Sequence, residues 1–146
     1  MSHKLPSPLW LLDTNILSKL IKQPDGALAQ RMREVSDAHP GALVTSLIVE
    51  CELRFGATRV NSLVLDSKIS NLLKLVPVLP LNAHVVPHYA TLRTQLERQG
   101  TPIGPNDTLI AAHALALSAT LVSGDAEFAR VPGLMFENWL AECSST

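Results

Sequence analysis

Four acidic positions stand where the chain changes character. Asp13 ends the apolar run in "LWLLDTNIL", and Asp125 closes "ATLVSGD". Asp107 opens the helical pattern "NDTLIAAHALALSA", while Glu50 and Glu52 lie together in "SLIVECELRFGATRV". Carboxylates without His or Cys partners are hard oxygen donors, the ligand type that selects Mg²⁺ or Mn²⁺ rather than zinc. Such a cation grips the oxygens of a phosphodiester, polarises the phosphorus and generates a hydroxide nucleophile. The chemistry implied is metal-assisted phosphodiester hydrolysis, provided the fold gathers these acids at one place.

Taken singly, each acid has an ordinary explanation. Asp13 and Asp107 fit helix N-caps, Asp125 a turn after Gly124, and Glu52 a partner for an arginine. Glu50 and Glu52 point about 200° apart on a helix. Glu50 has Arg54 at i+4, a good orientation for a surface ion pair, whereas Glu52 has Ile48 four before it and Phe55 three after it. Glu52 therefore borders the apolar face and Glu50 faces water. Burying four like charges together costs several kcal/mol per ion unless cations balance them.

The elements that must position these acids are short apolar runs alternating with helical patterns. "PLWLLD", "GALVTS", "LVPVLPL" and "ATLVSGD" read as buried strands, with a weaker one in "GLMFENW". Between them lie helical patterns in "TNILSKLIKQ", "DGALAQRMREVSDA", "SLIVECELRFGATRV", residues 61–75, "AHVVPHYATLRTQLERQG" and "NDTLIAAHALALSA". This alternation predicts a single α/β domain over residues 1–146, core about 9–139, with a parallel sheet. In such sheets chemistry gathers at the carboxyl ends of the strands. Asp13 and Asp125 lie at such ends, and Asp107 heads a stripe of Ile110, Ala111, Ala114 and Ser118. Pro87 requires its helix to start near His84 or to bend, and Gly100 reads as that helix's stop.

With 47% hydrophobic and 17% charged residues, a chain of this length buries about 70% of its unfolded surface and needs no disulfide. Cys51 and Cys143 lack the spacing of a zinc or redox motif and read as free thiols. No run approaches the roughly 20 apolar residues of a membrane span, and the start is not a secretory signal. The expectation is a soluble cytoplasmic protein. A net charge of −1 argues against a nucleic-acid partner. That changes if four of the 13 acids surround metal, since nine then remain against 12 Lys and Arg, a balance of +3.

Other constellations are weaker. The five histidines are scattered, and His113 shares a helix face with Leu109, Ala116 and Leu117, so it reads as packed or half-exposed. There is no nucleophile elbow, G-x-G-x-x-G or Walker loop. Trp10, Phe55, Phe136 and Trp139 read as core, and 4% aromatics argue against extended single-strand stacking.

Together "LLDTNIL", "TSLIVECELRFGA", "QGTPIGPNDTLIAAHALA" and "LVSGDAEFARVPGL" resemble the PIN-domain family, and within it VapC-type ribonuclease toxins of toxin–antitoxin pairs. The resemblance runs from Leu9 to Trp139. Position by position, the family's catalytic and metal-holding acids fall on Asp13, Glu52, Asp107 and Asp125, and its supporting polar positions on Asn15 and Ser46. Ser123 keeps a hydroxyl where "SGD" stands for the commoner Thr-x-Asp. The "PSP" lead-in and Pro87 depart from the family pattern.

The resemblance implies a sheet in the order 3-2-1-4-5 and Mg²⁺- or Mn²⁺-dependent cleavage of RNA, typically tRNA or rRNA. It also implies a homodimer silenced by a VapB-type antitoxin, with operator DNA reached only through that antitoxin and no membrane partner. A second reading is a weakly catalytic PIN-like module that complexes an antitoxin to repress DNA, which a damaged acid quartet would favour. A third keeps the enzyme but changes its substrate to ribosomal RNA precursors or flap structures. Lys19, Lys22, Arg54 and Arg59 are candidate phosphate contacts near the relevant helices.

Overall fold

The central strand β1 (Trp10–Leu12) is three residues long and its last two side chains are buried, as a strand covered on both faces requires. It pairs in parallel with β2 (Leu43–Ser46) on one side and β4 (Thr120–Val122) on the other. With β3 (Val78–Leu79) and β5 (Met135–Glu137) the sheet has five strands in the order β3-β2-β1-β4-β5, all parallel. The structure is a computed structural model that describes residues 5–144, with side chains to residue 141. Cys143 lies outside the described side chains, while Cys51 is free and exposed.

Helices α1 (Thr14–Lys22) and α2 (Ala27–Ala38) join β1 to β2, and α3 (Leu47–Arg59) and α4 (Leu63–Leu75) join β2 to β3. The long path from β3 to β4 holds α5 (Val85–Arg98) and α6 (Pro105–Leu117). Each start has a local cause. Ser46 Oγ accepts from Ile48 N at 3.2 Å and Ser62 Oγ from Leu65 N at 3.0 Å, capping α3 and α4. Pro105 opens α6 at its first position, where a missing N–H costs nothing. Pro87 falls in the first turn of α5, so that helix starts rather than bends there. Gly100, two residues after α5, has φ +71°, the left-handed conformation that glycine adopts freely.

The core fills both faces of the sheet. Leu11, Leu12, Ile16, Leu17, Val49, Ile110, Leu121 and Trp139 are fully enclosed. Two elements escaped the pattern reading: a 3₁₀ turn (Ala126–Arg130) after β4 and the short helix α7 (Trp139–Ser144). Neither is long enough to display a hydrophobic period. Among the described residues no helix is long and apolar enough to cross a membrane.

Three aromatic and histidine expectations divide. Trp139 is core, and Trp10 and Phe136 pack against it. Phe55 is not core: it is 65% exposed. His113 is packed rather than half-exposed, because α6 is buried on most of its circumference. Its Nδ1 lies 2.8 Å from Ser46 Oγ, and burial holds its pKa below the usual histidine range.

Arg54 also differs from expectation. Besides the predicted bond to Glu50 (3.1 Å), its guanidinium donates to Asp66 Oδ1 and the Asp66 carbonyl at 3.0 Å each and to Ser70 Oγ at 2.9 Å. It is a clamp between α3 and α4, with its donors engaged, and not a free phosphate contact. Replacing it by Met, which keeps the stem, should lower the unfolding free energy by about 1 kcal/mol in urea titrations.

Candidate metal-binding active site

The register of the sheet builds the site. Leu12 stands opposite Val122, so Asp13 and Ser123 leave the sheet side by side at the carboxyl ends of β1 and β4. These are the strands at which the order reverses, the place where open parallel sheets bind ligands. Asp13 N donates to the Val122 carbonyl at 2.9 Å, holding the two chain ends together.

Ser123 Oγ then organises the turn. It donates to Asp13 Oδ2 at 2.7 Å and accepts from Asp125 N at 3.0 Å and from Asn15 Nδ2 at 3.2 Å. Asn15 closes the arrangement by accepting Gly124 N on Oδ1 at 2.9 Å. A Cβ on Gly124 would push aside the Leu140 Cδ1 methyl of α7, so glycine lets that side chain pack against the turn. One hydroxyl and one amide thus fix Asp13 and Asp125 relative to each other.

Asp13 stands at the N-cap position of α1 but makes no side-chain capping bond, so the capping explanation fails. Asp107 is the third residue of α6, where Gly104 is the N-cap. Asp125 does cap the 3₁₀ turn, accepting Glu127 N on Oδ1 at 2.9 Å; the turn explanation is true of it and leaves its other oxygen available. Glu52 has no arginine partner. Its Oε1 accepts Thr14 Oγ1 at 2.6 Å, which draws α3 toward the start of α1. Ser46 touches none of the acids, since its hydroxyl serves Ile48 N and His113.

Sequence reasoning missed two members. Thr14 is the residue after Asp13, and its adjacency was the available signal. Glu127 comes within 4.8 Å of Asp107 and Asp125, oxygen to oxygen, because the 3₁₀ turn folds it back. Its i+2 spacing from Asp125 was the only trace of this in the sequence.

Electrostatics tie the acids together across four elements. Burial, and then the Asp13, Asp125, Glu52 and Glu127 carboxylates, push Asp107 up to about 6. Burial raises Asp13 too, opposed by the bonds from Ser123 and the Thr14 backbone and reinforced by Glu52 and Asp125. Among the described residues no lysine or arginine forms an ion pair with Asp13, Glu52, Asp107 or Asp125. Among them only Glu127, at the edge, reaches a base, Arg130 at 4.0 Å. An oxygen-only cluster whose other four acids lack basic counter-charge fits a hard divalent cation.

Comparisons with known proteins agree with the fold that carries this site. The family profile described as the PIN domain matches residues 10–134. The chain belongs to the PIN-domain family. Ribonuclease VapC2 of Rickettsia felis is 35% identical over 133 residues, 90% of this chain and 98% of the relative. The tRNA(fMet)-specific endonuclease VapC of Shigella flexneri is 32% identical over 136 residues, 89% and 97% of the two chains. The crystal structure of VapBC2 from Rickettsia felis bound to a DNA fragment from their promoter superposes with a TM-score of 0.82 at 33% identity, covering 90% of this chain and 98% of the other.

Within the PIN fold the raised Asp107 pKa has a thermodynamic consequence. The folded metal-free protein keeps this proton to about pH 6, whereas the unfolded chain releases it near 3.8. The associated stability is full below about 3.8 and lost as pH rises through 6. Asp107→Asn should therefore make the metal-free protein more stable at pH 7 but not at pH 4. Asp107 is partly open to solvent, so we expect a gain on the order of 1 kcal/mol in denaturant titrations at the two pH values. Glu127→Gln should separately weaken Mn²⁺ binding, measured calorimetrically, by about tenfold.

Proposed function

We propose that the chain is a metal-dependent endoribonuclease toxin that hydrolyses phosphodiester bonds of tRNA or rRNA and so arrests translation in the cytoplasm. The observation that carries this is the carboxylate cluster at the β1/β4 switch point, where burial and the neighbouring acids raise the pKa of Asp13 and Asp107. Relatives named ribonuclease and tRNA(fMet)-specific endonuclease that align along about nine-tenths of the chain support the substrate class.

In this proposal Asp13, Glu52, Asp107 and Asp125 hold Mg²⁺ or Mn²⁺, and Glu127 joins them beside Asp107 and Asp125. When bound, the cation supplies positive charge at the attacked phosphate and an acidified water. The chain's own residues set the geometry. Ser123 orients Asp13, Thr14 orients Glu52, and Asn15 fixes the turn carrying Asp125. Ser46 acts at one remove, by capping α3, the helix that bears Glu52.

Lys22 and Arg59 line a groove of about 300 Å³ that also holds Thr14 and Glu52. Among the described residues they form no ion pair, which leaves their charge for phosphates. Lys19 lies in the last turn of the same helix as Lys22. We further propose a VapB-type antitoxin as partner, a homodimeric toxin, and promoter contact only through the antitoxin. The VapBC2 structure on promoter DNA supports an antitoxin partner and DNA binding by the complex.

The test is cleavage of purified total RNA by the parent and by Asp107→Asn, each with Mg²⁺, Mn²⁺ or EDTA. Discrete fragments should come from the parent alone, vanish in EDTA and fall by about a hundredfold or more in the variant. An Asp107→Asn protein that cuts as well as the parent would refute the assignment.

A further inference from the structure

A polyanion approaching a cluster of carboxylates is repelled until a cation intervenes, so contacts at the rim must contribute attraction that does not depend on the acids. Phe55 is placed to do this. It is 65% exposed on α3, three residues after Glu52, so the two side chains are neighbours on one part of the helix surface. Its ring shares an open depression of about 500 Å³ with Thr14, Glu52, Arg59 and Asn106, the residue before Asp107. The depression therefore reaches from the exposed ring to two elements of the carboxylate site.

Arg59 adds a second feature. Its guanidinium carbon lies 5.6 Å from the Phe55 ring centroid, and among the described residues it forms no ion pair. A ring with a cation over one face, both open to solvent, matches a nucleotide whose base stacks on the ring's other face while its phosphate meets the charge.

We propose that Phe55 is the stacking platform for one nucleobase flanking the scissile phosphate of a single-stranded RNA segment, with Arg59 contacting an adjoining phosphate. The inference rests on the ribonuclease reading above. Splayed bases in loops and ends are the usual targets of aromatic stacking, because bases in a duplex are already stacked. Phenylalanine has no hydrogen-bonding group, so the platform fixes register and leaves base identity to other residues. The small share of aromatics in the chain is compatible with this: one base needs one ring.

The test uses a labelled oligoribonucleotide spanning the site cut in total RNA, and versions carrying an abasic residue at each position flanking the cut. Phe55→Ala should lower kcat/KM on the intact oligonucleotide roughly ten- to a hundredfold, chiefly through KM, and Phe55→Trp should restore it. Mn²⁺ affinity and Tm should match the parent, as expected of an exposed side chain. On the RNA lacking the stacked base, the parent should fall to the level of Phe55→Ala, and the variant should lose nothing more.

Parent-like cleavage by Phe55→Ala, or an equal loss on every abasic RNA, overturns the inference. So does a variant that cleaves normally yet no longer binds antitoxin, which would make the ring part of a protein contact with its exposed neighbours Val60, Leu63 and Val64. If the parent cuts no RNA at all, the ribonuclease reading falls and this inference with it; loss of coupling with an active parent overturns this inference alone.

Discussion

Repulsion among carboxylates crowded at one edge of a sheet is the constraint on which the other features depend. Asp13 is 4% exposed and Asp107 is held protonated to about pH 6, so the metal-free site is a place of stored electrostatic cost. Folding tolerates that cost only because the rest of the domain is stable enough to offset it. The same crowding is what gives the cluster its appetite for a cation, since each carboxylate that is unfavourable alone becomes a ligand once charge is balanced. Stability at this edge and metal affinity are opposed by construction.

The scaffold answers with rigidity rather than counter-charge. β1 and β4 sit in fixed register, and Ser123, one residue beyond both, spends its hydroxyl on Asp13, the Asp125 amide and Asn15. Arginines are kept to other tasks. Arg54 clamps α3 to α4, Arg93 pairs with Glu97 within α5, and Arg31 lies against Trp139 and Glu137. Moving one of these cations to the acids would lower the cost of folding and compete with metal for the same oxygens.

The strands were legible because a parallel sheet buries both faces, and short apolar runs ending in Asp13 and Asp125 are hard to read otherwise. The PIN resemblance supplied the strand order, which periodicity alone does not contain. Helix-face reasoning separated Glu52 from Glu50, and the structure puts Glu50 on Arg54 and Glu52 on Thr14, yet one of the two anchors of that reasoning was wrong. Phe55, taken as apolar neighbour and core, faces solvent; what turns Glu52 into the site is the hydroxyl of Thr14, 38 residues earlier. Glu127 and α7 were illegible for a common reason: a five-residue 3₁₀ turn and a six-residue helix are too short for a period to register. His113 read as packed or half-exposed and is packed; the sequence left the two open because α6 is apolar around most of its circumference, and no single face marks the inside.

Net charge is a poor guide here because the charges are sorted by location. Over the whole chain 12 basic residues face 13 acids. If the five clustered acids are balanced by bound cation, eight acids remain against those 12, and several of the basic residues are already engaged by Glu50, Asp66, Glu97 and Glu137. Lys22 and Arg59, which are not, sit in the groove that carries Glu52. Within that groove the sign of the field depends on whether the acids hold a cation: without one the pocket repels a phosphate backbone, and with one the same surface attracts it. Occupancy of the carboxylate cluster would then govern substrate capture as well as chemistry, so a chain that is slightly acidic overall still has one place where a polyanion can bind.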